Sequence, residues 1–183
     1  IPIWMSHGTW SAIGQPDLQG WLRLAADGRP IALSAQCELH PFTVPHDARE
    51  PLQLVVQSGG RRMGICTDLG HPSAHVVERL QGCHALLLES NHDPDLLAAS
   101  RYPVFLKRRV AGALGHLSNA AAADLLARIA HPELQLVVAA HLSEQNNRPE
   151  LALSHLQAAL DAAQLNTALL AATAAQGCDW QWV

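Results

Sequence analysis

Several residue types and patterns are scarce in this chain. Of its 12 cationic side chains only Lys107 is a lysine, and aromatic residues make up 4%. No apolar run approaches the roughly 18 residues that a membrane-spanning helix needs, so the sequence predicts no such helix and no membrane partner. The four cysteines, Cys37, Cys66, Cys83 and Cys178, come no closer than the 17 positions between Cys66 and Cys83. That spacing excludes a C-x-x-C motif and a zinc ribbon, and it predicts reduced, buried thiols in a cytoplasmic protein. Ile1–Met5 has neither a basic flank nor a long apolar stretch and does not read as a signal peptide. The net charge of -4 excludes a generally basic, polyanion-coating surface and leaves nucleic-acid binding to a local patch.

What is present points to a folded domain. With 183 residues, 49% of them apolar, the chain can bury a core, and 11 histidines invite a search for metal or acid–base chemistry. It reads as one domain over 1–183, with no repeat and no linker.

Periodicity predicts the elements. Residues 1–5 form a short strand, and Asp17 caps a helix running to about Ala26. Ile31 to Val44 is one strand. Leu52–Gln57 and Arg61–Thr67 form a hairpin across Ser58-Gly59-Gly60. Helices follow over 73–80, 93–99, 103–110, 119–130 and 149–163. Buried strands lie at 85–89 and 134–140. Residues 167–174 fit helix or strand, and 177–183 a last strand. The expected class is mixed αβ (α+β), with helices layered on a sheet.

Polar residues gather where predicted strands end: His46, Asp68, Glu89 with His92 and Asp93, and His141, with His116 ahead of a helix. Each alone has an ordinary role as a turn or cap residue. His71 and His75 have i, i+4 spacing, but Pro72 between them argues against a shared helix face. Two histidines and one aspartate from three strand ends match the ligand types of zinc or manganese. Lys107, Arg108 and Arg109 are the one basic run, read equally well as a solvated helix face or a phosphate contact.

At these residues the sequence resembles the metallo-β-lactamase superfamily, in the branch of cytosolic phosphodiesterases and exonucleases related to ribonuclease Z. The stretches that carry the resemblance are Pro45-His46-Asp47-Ala48, Thr67-Asp68-Leu69-Gly70, Leu88-Glu89-Ser90-Asn91-His92-Asp93, Tyr102 to Arg109, Gly115-His116-Leu117-Ser118-Asn119 and His141 to Asn147. The resemblance implies a four-layer αββα sandwich. It implies that His46, Asp68 and His141 are metal ligands and that His116 serves the leaving group. Glu89, His92, Asp93, Asn119 and Lys107-Arg108-Arg109 would support the site or contact substrate. It further implies two divalent ions, Zn2+ or Mn2+, that activate a water against a phosphodiester, DNA included.

The family signature His-x-His-x-Asp-His is absent, and no H-x-H occurs in the chain. The expectation is therefore an N-terminally truncated domain that by itself holds at most one ion, weakly, and that associates with itself to cover an exposed edge. A non-catalytic fragment and a thioester or acyl hydrolase on the same fold are the alternatives.

Overall fold

The computed structural model describes residues 1–183. At the N-terminus, β1 (Ile3–Met5) and β2 (Leu22–Leu24) pair in parallel as a separate two-stranded sheet, with α1 (His7–Ala12) between them. Ser6 caps α1 by accepting the Thr9 N–H. The helix expected over 17–26 is not formed. Asp17 Oδ1 accepts the Gln19 N–H in a local turn, the competition with helix that short polar side chains offer, and Leu22–Leu24 is drawn into pairing with β1.

The main sheet has seven strands in sequential order: β3 (Ile31–Ser34), β4 (Cys37–Thr43), β5 (Leu52–Ser58), β6 (Arg61–Cys66), β7 (Ala85–Glu89), β8 (Leu136–Ala140) and β9 (Ala168–Ala171). The stretch expected as one strand over 31–44 is a hairpin, because Ser34 Oγ accepts the Gln36 N–H and turns the chain. β3 to β6 pair antiparallel, and β6 to β9 pair parallel. Gly59 and Gly60 turn β5 into β6 with φ of +57° and +80°, the left-handed pair a two-residue hairpin needs.

The parallel strands require crossovers. α2 (Ala74–Leu80) links β6 to β7. α3 (Pro94–Ala99), α4 (Val104–Val110) and α5 (Asn119–Ile129) lie between β7 and β8, and α6 (Pro149–Ala162) links β8 to β9. Alternation sends Leu86, Leu88, Val137 and Ala139 to one sheet face, where they pack with Val76, Leu80, Leu125, Leu126, Leu156 and Leu160 of the helices. Phe42 is fully buried in the same core. The opposite face presents Met63, Ala85, Leu87, Leu136 and Val138, and the tail crosses it around a cavity of about 480 Å³.

That tail, 177–183, forms no strand of the sheet, contrary to its pattern. Trp180 and Trp182 stand almost wholly exposed. Of the cysteines, Cys66 and Cys83 are buried as expected, Cys37 is half-buried, and Cys178 is exposed. No helix is long and apolar enough to cross a membrane.

One topological fact positions the site. β4 runs antiparallel to β5 and β5 to β6, so β4, β6, β7 and β8 all point the same way. Their C-terminal ends share one sheet edge, the place where open α/β sheets present ligand-binding groups.

Candidate metal centre at the sheet edge

Glu89, the last residue of β7, organises this edge. Its side chain is fully buried. Oε1 accepts from His116 Nδ1 and from His141 Nδ1, each at 2.8 Å. Oε2 accepts from the Leu69 N–H at 2.7 Å and the Leu117 N–H at 3.4 Å. Burial pushes the carboxyl pKa up, but the bonds from His116, His141 and Leu69 outweigh it and hold the pKa below its ordinary value. Glu89 is therefore an anion that takes the Nδ1 protons of both imidazoles and leaves their Nε2 atoms for the pocket.

Asp68 stands at the centre of the cluster. It follows β6 in the left-handed region, φ +51°, and its side chain is partly exposed. Around its Oδ1 lie His46 Nε2 at 3.7 Å, His116 Nδ1 at 3.7 Å and His141 Nε2 at 3.8 Å. Those separations are too long for hydrogen bonds. The His46 and His141 separations suit side chains that share a cation, since two ligands each about 2.0–2.2 Å from one ion lie no more than about 4.4 Å apart, whereas His116 Nδ1 is already bonded to Glu89.

Backbone contacts fix the histidines. His46 Nδ1 bonds the Gly115 carbonyl at 3.0 Å, and the His116 N–H donates to the Val110 carbonyl at 2.9 Å. His141 follows β8 at φ +55°, and its carbonyl accepts from Asn91 Nδ2 at 2.8 Å. The bond to Glu89 raises the His141 pKa against the opposing effect of burial. The His116 ring stands 5.2 Å from those of His46 and His141.

Ligand atoms of Asp68, Glu89, His116 and His141 all fall within 4.8 Å of one another. Glu89 is already saturated by protein donors, so Asp68 and the histidines are the atoms open to an ion. Imidazole and carboxylate donors with a buried carboxylate fixing the imidazole tautomer are a set that fits a divalent metal. Asp68, His116 and His141 open into a cavity of about 340 Å³, with Asn91, Tyr102 and Asn146 on its walls.

The remaining residues singled out in the sequence are dispersed. Asp93 caps α3, accepting the Asp95 and Leu96 N–H groups. Asn119 is fully buried behind the site in an amide network with Ser90 and Asn147. His92 is buried, which pushes its pKa down, and its Nδ1 has no partner. Lys107 Nζ donates to the Ala98 carbonyl, Arg109 pairs with Asp47, and Arg108 points to solvent. His75 pairs with Asp27 and His71 with the Ala113 carbonyl, so the two do not meet. Asn91, Tyr102 and Asn146 lie in the stretches that carry the resemblance, but sequence reasoning gave them no role at the site. Asn91 sits among the strand-end residues already noted, and Tyr102 is the one tyrosine of the chain.

No family model matches the sequence. It is 33% identical over 157 residues to exodeoxyribonuclease YycJ of Bacillus anthracis, covering 83% of this chain and 58% of that protein. It is 31% identical over 115 residues to exodeoxyribonuclease WalJ of Streptococcus pneumoniae, covering 63% of this chain and 43% of the relative. The chain thus spans about half the length of the curated relatives it matches.

Among solved structures, the metallo-β-lactamase fold protein YhfI from Bacillus subtilis superposes with a TM-score of 0.67 at 11% identity, covering 98% of this chain and 65% of that one. Zn2+-bound PqqB from Methylobacterium extorquens gives a TM-score of 0.64 at 15% identity, covering 99% and 65%. A diphosphatase of the PhnP family gives a TM-score of 0.60 at 13% identity, covering 100% and 58%. At those identities the structures establish the fold, an αβ sandwich of the metallo-β-lactamase kind, and the sequence likeness is to the exodeoxyribonucleases YycJ and WalJ.

Proposed function

We propose that the protein is a metal-dependent phosphodiesterase, acting on DNA as an exonuclease in its complete form. The observation that carries this is the Asp68 carboxylate oxygen set between His46 Nε2 at 3.7 Å and His141 Nε2 at 3.8 Å, with His141 and the adjacent His116 both fixed by buried Glu89. His46, Asp68 and His141 would hold the metal, Zn2+ or Mn2+. Three donors suit at most one ion in this chain, and a second would need further ligands. A bound divalent ion would supply Lewis-acid chemistry, acidifying a water and polarising a phosphoryl oxygen.

The chain's own residues do the rest. His116 keeps its Nδ1 proton on Glu89, so Nε2 is the atom that can give a proton to a leaving oxygen. Asn119 and Asp93 serve by holding the strand-end loops, and His92 packs behind Glu89. Arg108, with Lys107 and Arg109 beside it, would meet substrate phosphates. The names of the relatives favour DNA as the phosphodiester, and the unpaired buried thiols fit the cytoplasm. Self-association of the chain belongs to the same proposal.

The test offers Zn2+ and Mn2+ to the wild type and to Asp68→Asn in equilibrium dialysis. It also compares turnover of bis(p-nitrophenyl) phosphate, a thioester and a β-lactam. Metal binding lost in Asp68→Asn, with the phosphodiester preferred, is expected. Turnover of the thioester alone would make the protein an acyl hydrolase, and failure to bind either metal would leave a non-catalytic domain.

A further inference from the structure

The loop that carries His46 is tied to the end of α4 and the turn after it by three contacts. His46 Nδ1 bonds the Gly115 carbonyl at 3.0 Å, and the Asp47 N–H donates to the Leu114 carbonyl at 2.9 Å. Arg109 Nε donates to Asp47 Oδ2 at 2.5 Å. The other oxygen of that carboxylate, Oδ1, stands 3.5 Å from His46 Nε2. One carboxylate is thus all that separates the Arg109 guanidinium from a nitrogen of the proposed ligand set. The rest of the basic run is not placed in this way. Lys107 Nζ turns back to the Ala98 carbonyl, and Arg108 points to solvent.

The Arg109 side chain is still 65% exposed. Asp47 occupies its Nε, which leaves the Nη1–Nη2 edge of the fork free to donate. Arg109 does not line the cavity of Asp68, His116 and His141. Whatever takes that free edge lies beside the cavity and not inside it. An acidic partner is a poor companion for a residue that serves only as charge, because the carboxylate cancels the field a polyanion would feel. What the pair provides is orientation. A planar guanidinium held by one edge presents the other in a fixed direction, and bidentate recognition of phosphate depends on that direction.

Resting on the phosphodiesterase reading, we propose that Asp47 positions Arg109 as a clamp on the phosphate next to the one being cut. The carboxylate between Arg109 and His46 sets the two apart by a span that one sugar–phosphate unit covers. The substrate class is then a polynucleotide strand, whose phosphates have neighbours, and not an isolated diester or a diphosphate. The contact is to the backbone. It carries no base sequence and is made equally by a strand that is paired in a duplex.

The experiment is fluorescence anisotropy in EDTA with a labelled blunt duplex, so that binding is read apart from turnover. Arg109→Ala weakens binding about 10- to 100-fold, the loss of a charge-assisted contact. Arg109→Lys keeps the charge but has no fork, and it stays well below wild type. Asp47→Asn removes a negative charge beside a polyanion. If Arg109 acts by charge alone, that variant binds more tightly; if Asp47 positions it, the variant binds more weakly. Arg61→Ala, at the far end of β6 from Asp68, leaves binding unchanged. Melting curves show that each variant compared is folded, and if Asp47→Asn is not, Arg109→Lys decides. With metal added, a thymidine dinucleotide bearing a terminal phosphate is cut with a higher kcat/KM than one without it, and Arg109→Ala removes the advantage. Tighter binding by Asp47→Asn, wild-type affinity in Arg109→Lys, or no duplex binding by the wild type would overturn the clamp. Wild-type turnover of bis(p-nitrophenyl) phosphate is measured beside it. Turnover without the binding pattern sinks the clamp alone, and the binding pattern without turnover of any diester sinks the phosphodiesterase reading alone.

Discussion

His141 and Glu89, 52 residues apart in sequence, are joined from Nδ1 to Oε1 at 2.8 Å. This bond decides which nitrogen of His141 faces the cavity. In Glu89→Gln one carbonyl oxygen replaces two carboxylate oxygens, so two of the four donors lose their acceptor and face an amide NH2 instead. The Zn2+ affinity in equilibrium dialysis should fall about 10- to 100-fold. The thermal midpoint should fall too, because each buried donor left unpaired costs about 1–3 kcal/mol. Unchanged affinity would detach Glu89 from the metal site.

His116→Ala and His141→Asn should separate two roles. Asparagine is the cleaner substitute at 141, because φ is +55° there and asparagine tolerates the left-handed region. His141→Asn should lose metal and turnover together. His116→Ala should keep the metal and lower turnover by about 10²–10⁴-fold on a nucleic acid. The loss should be smaller on a nitrophenyl ester, whose leaving group needs little protonation. If His116→Ala empties the site, His116 is a ligand. If it changes neither quantity, the residue only starts a helix.

Gly115→Ala should disturb the fold around His46. A Cβ at Gly115 would overlap the Arg109 and Val110 carbonyl oxygens, which belong to rigid helical backbone. The same glycine offers its own carbonyl to His46. Forcing the helix end away should cost about 1–3 kcal/mol. At about 2–4 °C per kcal/mol for a chain of this size, calorimetry resolves it. An unshifted melting curve would mean that the α4 end yields freely.

Asp27 provides a pH signature away from the site. Burial pushes its pKa up, but the Thr43 hydroxyl and amide, together with His75, outweigh it, and the net value lies below 3.8. Arg79 bonds the second oxygen at 3.1 Å. A lowered folded value means that this contribution is fully present above about pH 3.8. It is lost as pH falls through the folded value. Urea unfolding should therefore show Asp27→Asn less stable than wild type at pH 7 and 5, with the gap closing below pH 3.8. A gap that widens toward acid would reverse the assignment.

Parts of this molecule are legible locally and parts are not. Ser73, Asp93 and Ser118 announce their helices because an N-cap acts within three residues, and each accepts the expected backbone N–H. Gly59-Gly60 likewise announces its turn. Leu22–Leu24 does not read as a strand, since its partner is β1, some 19 residues away, and nothing local favours extension. Residues 177–183 alternate like a strand yet lie across the sheet face instead of pairing along an edge. At the site, His46, Asp68 and His141 were visible as polar residues at strand ends. The saturation of Glu89 by four donors was not, because it depends on Leu69 and Leu117 backbone groups that any sequence would supply. Tyr102 was hidden for a similar reason, as only the α4 loop path brings it to the cavity.

The common direction of β4, β6, β7 and β8 has a kinetic consequence. His46 and His141 are separated by 95 positions, yet both belong to one edge that exists only once β8 has docked beside β7. Contacts so distant in sequence form late and slowly. A metal can be gripped only by chains that have completed this assembly. During synthesis, His46 and Asp68 emerge and wait, and the arrival of His141 completes the proposed ligand set. A metal bound there would act as a ratchet on a finished fold, favouring it by mass action rather than nucleating it.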